Sequence, residues 1–314
     1  MLSVMKQQDS SPSEFQPSFA LRAGYASIAT VSVLIVIKAI AFVFSGSAGL
    51  LASLLDSIMD GVVSAINFLA IRESLKPADK NHRHGHGKIE GLAALVQAAF
   101  IGGSAVFLAL EAISRLANPQ EVGAYGLGIV VMAISIVLSM VLVAYQKYVM
   151  RRAPSLAVEA DSAHYSSDIY VNAGVIIALL LQMFGAPVWI DSLFALGVAA
   201  WMARMVLGIS KGGIDMLLDR ELPKETREKI SALVLSDARV HGMHDLRTRT
   251  VGMHINVSFD IEVDSDLTLS VAHGIAVDVE RVLLQSFPNA EIMIHVDPLG
   301  EPEDHRHRVP GIHH

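Results

Sequence analysis

The chain has 314 residues, 52% of them hydrophobic, a formal net charge of −7 and a mean hydropathy of +0.47. That is too apolar for an ordinary soluble domain and points to a polytopic membrane protein, and the negative charge argues against nucleic acid as a partner. The absence of cysteine excludes disulfides, thiolate metal sites and cysteine nucleophiles, whereas the thirteen histidines are many and fall in clusters.

Residues 1–19 are polar and read as a disordered leader with no cleavable signal pattern. Six apolar segments follow, at about Gly24–Ser45, Leu50–Ile71, Gly91–Ile113, Tyr125–Tyr145, Ala160–Leu181 and Trp189–Leu207. Each is long enough to cross a hydrocarbon core of about 30 Å as a helix. Asn118-Pro119 breaks the third from the fourth, and Lys147, Arg151, Arg152 and Pro154 close the fourth. The 2–3 loop carries Arg72, Lys76, Lys80, Arg83 and Lys88, while the 1–2 and 5–6 loops carry no Lys or Arg. The positive-inside rule therefore places both termini in the cytoplasm. Residues 20–210 read as a membrane domain and 211–222 as a linker. Residues 223–298 read as a small soluble domain of order αββαβ, in which INVSFDIEV is the clearest period-2 run. Its helices are expected on one face of the sheet. A disordered, His-bearing tail, 299–314, completes the expected organisation.

The second span carries Asp56 and Asp60, and the fifth carries Asp161, His164 and Asp168. The i, i+4 spacing of Asp56/Asp60 and of His164/Asp168 puts each pair on one helix face. A carboxylate at mid-bilayer costs about 2.5–3.5 kcal/mol on insertion scales, so intramembrane charges are functional by default. If the two helices are adjacent, three carboxylates and an imidazole converge, which suits a divalent metal in four-coordinate geometry. The same groups titrate, so metal binding releases protons. The bland alternative is two unrelated, internally satisfied helix pairs. In the 2–3 loop Asp79, His82 and His86 have chelating spacing, although a solvated His-rich tract looks the same. In the soluble domain His244, Asp260, His273, His295 and Asp297 are candidates for a third site, each by itself more often a surface or core residue. Asn67 and Asn172 read as helix-packing residues, with ligand orientation as the alternative.

The stretches LASLLDSIMD, PADKNHRHGHGKIE, EADSAHYSSDIYVNAG and HDLRTR resemble the cation diffusion facilitator family, in the right order and over about Phe19 to Pro298. The match is to its bacterial zinc and iron efflux type. The resemblance implies an α-helical membrane protein of six transmembrane helices with a cytoplasmic, metallochaperone-like α+β domain, acting as a homodimeric proton-coupled antiporter in the bacterial inner membrane. It implies a transport site of Asp56, Asp60, His164 and Asp168 and a loop site of Asp79, His82 and His86. It also implies a cytoplasmic zinc site of His244, His273, His295 and Asp297, and a charge pair, Lys88 with Asp219, that ties the dimer together near the membrane. Zn(II) is the expected substrate and regulatory ion, because a histidine at His164 accompanies zinc rather than manganese in the family. Cd(II) and Fe(II) are further candidates, and protons are the coupling ion. Asp260 stands where close relatives have histidine, so the number and affinity of ions there are open. His305, His307, His313 and His314 match no family motif.

Three other readings stay open at this level: a metal sensor or storage protein that does not transport, an importer, and a membrane metal-dependent hydrolase. The last would need a general base beside a metal-bound water, and the spans hold no HExxH or similar signature. The expectation is therefore a non-enzyme.

Overall fold

The computed structural model describes residues 18–46, 48–117, 126–187 and 189–300. The bulk of the expected leader and tail, the break at Asn118-Pro119 and the four C-terminal histidines lie outside the described residues. Residues 18–217 and 218–300 belong to two separate compact units.

The first unit holds six helices, α1 (Ser18–Ser45), α2 (Ala48–Ser74), α3 (Ile89–Ala117), α4 (Gly126–Met150), α5 (Leu156–Met183) and α6 (Ile190–Leu217). All six are long and apolar enough to cross a membrane. Their distribution of residues is that of a bundle whose outer solvent is lipid. Val33, Val36, Ile40, Val43, Phe107 and Leu110 are exposed on the outside, while Ala20, Ala23, Ser27, Ala94, Ala98, Ser135 and Ser139 are buried between helices. Hydrophobicity does not drive helix against helix in lipid, so close approach of small residues and interhelical hydrogen bonds take over. Gly91 of α3 and Gly213 of α6 show this: a Cβ on Gly213 would sit 2.8 Å from the Gly91 carbonyl and 2.9 Å from Leu95 Cγ. This contact explains why part of the expected linker, 211–222, is helical through Leu217. The segment GGIDML keeps α6 packed on α3 well beyond the predicted end of the span.

Interhelical polar contacts fix the remaining geometry. Ser64 of α2 bonds the Tyr165 hydroxyl of α5 at 2.9 Å, and Asn67 Nδ2 donates to the Ala157 carbonyl at 3.1 Å. Asn67 thus joins α2 to α5, as packing predicts, while Asn172 donates back to Asp168 O of its own helix at 2.8 Å. The N-terminus of α5 is held twice. Ser155 is its N-cap and accepts from Val158 N at 3.3 Å, satisfying one of the helix's orphan donors. Glu90, fully buried in the first turn of α3, accepts from Ser155 Oγ at 2.9 Å and Leu156 N at 3.0 Å with one oxygen, and from Ser74 Oγ at 3.2 Å with the other. One carboxyl group therefore joins the ends of α2, α3 and α5, with its oxygens at the positive end of the α5 dipole.

The second unit comprises α7 (Lys224–Val234), β1 (Gly242–Val251), β2 (His254–Val263), α8 (Leu269–Ser286) and β3 (Ala290–Pro298). The sheet order is β1-β2-β3, with β2 antiparallel to β1 and parallel to β3. A two-residue hairpin with Gly252 at φ 62 joins the antiparallel pair, and α8 forms the crossover that a parallel pair requires. The period-2 run is observed: Val257, Phe259, Ile261 and Val263 of β2 are buried with Ile230 and Val234 of α7 and Ile275, Val279 and Leu283 of α8. Asn256, Ser258, Asp260 and Glu262 alternate with these core residues and occupy the open face.

The α3–α6 contact makes a direct prediction. Gly213→Val is expected to cost about 1–3 kcal/mol, the usual penalty of overpacking, and to lower the thermal midpoint of the detergent-solubilised protein. Gly103→Ala, whose added Cβ meets nothing within 4 Å, is expected to leave that midpoint unchanged or slightly raised.

Candidate metal centres

Asp60 of α2 and His164 of α5 meet in the interior of the membrane unit. His164 Nε2 lies 3.1 Å from Asp60 Oδ1 and 3.8 Å from Asp168 Oδ2. The ligating atoms of Asp60, His164 and Asp168 all fall within 4.8 Å of one another. The expected convergence of the second and fifth helices is thus present for three of four residues. Asp56 lies outside this group, one turn before Asp60 on α2 and exposed on the isolated chain. The Ser64–Tyr165 and Asn67–Ala157 bonds set the α2–α5 spacing that brings the three together, and the His164 ring stacks edge-on against Tyr165, with 5.5 Å between centroids.

The 2–3 loop forms a compact turn that gathers Asp79, His82 and His86. His82 Nδ1 and His86 Nε2 each lie 3.4 Å from a different oxygen of Asp79, and the three ligand atoms fall within 4.8 Å of one another. Gly85, at φ 77, turns the chain between the histidines, a conformation that costs glycine no Cβ clash. The backbone N–H groups of His82 and Asn81 donate to Asp79 and hold its carboxyl below the ordinary range. That favours the ionised, metal-competent form.

In the second unit the candidates lie on the open face of the sheet. Asp260 pairs in register with His244 on one side and His295 on the other, so one rung crosses all three strands. His244 lies 3.7 Å from Asp260, 3.6 Å from Asp297 and 3.7 Å from Glu262, and His295 lies 3.1 Å from Asp297. His244, Asp260 and Asp297 form the three-ligand group. Burial raises the Asp260 carboxyl, opposed by His295 and His244. A bulge between His244 and Arg247, with Asp245 at φ 50, breaks the alternation of β1. It lets Met243 and Leu246 both pack on the core while His244 stays beside Asp260. His273 is exposed on α8 and does not join the group. Lys88 and Asp219 belong one to each unit. Lys88 Nζ donates to the Leu217 carbonyl at 3.5 Å, and Asp219 accepts from Arg249 at 3.3 Å.

Several polar residues escaped the motif reading. Glu262 adds a carboxylate to the sheet site, and it fits because its partner across the strand is Gly242, where a Cβ would meet Glu262 Oε2 at 2.7 Å. Its signal was the i+2 spacing from Asp260. Asp161 is buried and accepts from Ser27 Oγ at 2.5 Å and Gln146 Nε2 at 2.7 Å, joining α1, α4 and α5. Glu90 and Lys38 are the other two, and a lone charge inside an apolar run was the available signal for Lys38.

Comparison with known proteins agrees over nearly the whole chain. Residues 25–218 match the cation efflux transmembrane domain family, and residues 222–299 match the cation efflux protein cytoplasmic domain. The chain is 45% identical to the cation-efflux pump FieF of Shewanella oneidensis over 277 residues, covering 88% of this chain and 93% of that pump. It is 42% identical to the FieF pump of Klebsiella pneumoniae over 279 residues, 88% and 92% of the two chains. Among solved structures, the metal-bound C-terminal domain of the CzcD transporter from Thermotoga maritima aligns with 26% of this chain and all of its own, at 30% identity and a TM-score of 0.25. With six membrane-length helices, a three-stranded cytoplasmic-type domain and these relatives, the chain belongs to the cation efflux family of membrane transporters, the cation diffusion facilitators.

Proposed function

We propose that this protein is a proton-coupled antiporter that exports Zn(II), with Cd(II) and Fe(II) as further candidate substrates, from the cytoplasm by alternating access. The observation that carries the reading is the convergence of Asp60, His164 and Asp168 within 4.8 Å, from two helices, inside a membrane span. The cluster contains no sulfur and offers nitrogen and oxygen ligands, which suits zinc. Asp56 completes a four-ligand set when α2 turns relative to α5. Metal entering from the cytoplasm displaces protons from these groups, the helices reorient, and protons on the far side displace the metal. His164 serves as proton carrier, since an imidazole nitrogen holds either a proton or a metal ion. Export rather than import is the direction in the names of the FieF relatives.

The remaining candidates fit around this cycle. The chain works as a homodimer in the bacterial inner membrane with both termini cytoplasmic, in line with the Lys and Arg of the 2–3 loop. Lys88 and Asp219 tie the protomers together near the membrane surface. Asp79, His82 and His86 hold metal at the cytoplasmic entrance. His244, Asp260, His295 and Asp297, with His273 joining on metal binding, form a sensor site. Its occupation draws the two cytoplasmic domains together and biases the helices.

In proteoliposomes under an imposed pH gradient, Asp60→Ala is expected to abolish zinc-driven proton flux; flux at the wild-type level from that variant would sink the assignment. Zinc-dependent proton release with no zinc crossing would mark a sensor instead. For the cytoplasmic domain, Asp297→Ala is expected to flatten the dependence of transport rate on cytosolic zinc, and normal rates at every zinc level would remove the regulatory role.

The Asp260 carboxyl carries a pH prediction. Burial raises it above the ordinary aspartate value of 3.8. The folded state therefore binds the proton more tightly than the unfolded one, and ionisation weakens the metal-free fold. That weakening is absent below 3.8 and fully present above the raised value. Asp260→Asn is expected to slow hydrogen exchange of the β2 amides at pH 7 without metal and to shrink the further slowing that zinc produces. Faster exchange in the metal-free variant is the contrary result.

A further inference from the structure

Lys38 lies in the apolar run VLIVIKAIAF of α1. It is 7% exposed, and the transport cycle above does not use it. Its Nζ donates to the Ser53 carbonyl at 3.1 Å and to Ser57 Oγ at 2.6 Å, both on α2. An ammonium offers three donors and no acceptor. These two partners are neutral, so they satisfy hydrogen bonds without cancelling the charge. An intramembrane cation costs about 2.5–3.5 kcal/mol on insertion scales and pairs with opposite charges or backbone carbonyls. The adjoining carboxylates are those of the candidate site. Asp56 lies between Ser53 and Ser57 in sequence, and Asp60 follows Ser57 by three residues on the neighbouring helical row. Lys38 Nζ thus sits on the two α2 residues that flank Asp56, and one turn further along α2 Asp60 meets Asp168 of α5. Lys38 therefore faces the candidate transport site from a third helix.

The charge balance follows. Three ionised carboxylates and one ammonium, with His164 as a neutral ligand, leave two negative charges, which one divalent cation cancels. Without the ammonium, the same cation leaves the site negative in a low-dielectric interior, where uncompensated charge is costly. A monovalent cation leaves it unbalanced with Lys38 in place.

We propose that Lys38 is the resident counter-charge of the transport site: it neutralises one of the three carboxylates, matches the site to a single divalent cation, and holds affinity low enough for release. It is a positioning residue that acts through Asp56 and Asp168 and is not a metal ligand. The inference rests on the reading of Asp56, Asp60, His164 and Asp168 as the transport site.

The test uses the full chain in proteoliposomes, with Zn(II) alone as substrate. Lys38→Gln keeps a hydrogen-bond donor for Ser53 and Ser57 and loses the charge. Its KM is expected to fall on the order of tenfold, as removal of a nearby unit charge from a partly buried cation site implies, and kcat is expected to fall with it because zinc leaves slowly. Lys38→Arg keeps the charge and is expected to return both constants toward wild type. Wild-type KM and kcat in Lys38→Gln, or an Arg variant as altered as the Gln variant, would overturn the proposal. Asp60→Ala is assayed in parallel. Loss of flux there with a normal Lys38→Gln overturns only the counter-charge, whereas retained flux there overturns the transport site itself and the counter-charge with it. If Lys38→Gln does not fold, Lys38→Gln combined with Asp56→Asn removes both charges and is expected to recover monodisperse protein. Failure to recover it also overturns the proposal.

Discussion

The contact between His164 and Asp60, 3.1 Å apart across two membrane helices, is the constraint on which the membrane unit depends. A charge-bearing side chain inside a bilayer is tolerated when it faces protein and has a partner. Here the partners come from different helices, so the cost of burying them is recovered only if α2 and α5 lie side by side at one register. The Ser64–Tyr165 and Asn67–Ala157 bonds enforce that register on the same pair of helices, and Glu90 holds the start of α5 to the ends of α2 and α3. Packing and chemistry are thus the same set of contacts seen from two sides.

This arrangement has a consequence for movement. Polar interhelical bonds in membranes are individually modest, so a helix pair held by a few of them yields more readily than one locked by close packing. The tight glycine contact of α3 with α6 is of another kind, because backbone against side chain leaves no slack. The bundle therefore combines a stiff seam, α3–α6, with a polar seam, α2–α5, that carries Asp60, His164 and Asp168. A metal ion or protons bound at the polar seam change the charge that the surrounding dipoles must accommodate. A transporter needs that link between occupancy and conformation.

In the cytoplasmic unit the pleat of one strand does the sorting. Val257, Phe259, Ile261 and Val263 face the core, so Asp260 and Glu262 necessarily face the other way. Pairing with β1 and β3 then sets His244 and His295 on either side of Asp260. A stable hydrophobic core and a polar site share the same residues' backbone without competing, because they use opposite faces. The bulge after His244 adjusts the edge strand so that its apolar residues still reach the core.

Residue order alone determined the six spans, the αββαβ order and the i, i+4 pairs on the second and fifth helices, because these follow from local periodicity and from the cost of charge in lipid. The Asp79, His82 and His86 cluster of the 2–3 loop was legible for the same reason, its members being neighbours in sequence. The tertiary structure decided which pairs meet. It brought Asp60 to His164 and Asp168 and left Asp56 a turn away, it left His273 outside the sheet group, and it added Glu262 through the space at Gly242. It extended α6 into the expected linker through the contact with Gly91, and it gave Glu90, Asp161 and Lys38 partners that lie on other helices. The division is physical: periodicity is a property of one segment, whereas a ligand set or a buried counter-charge is defined by distances between segments far apart in the chain.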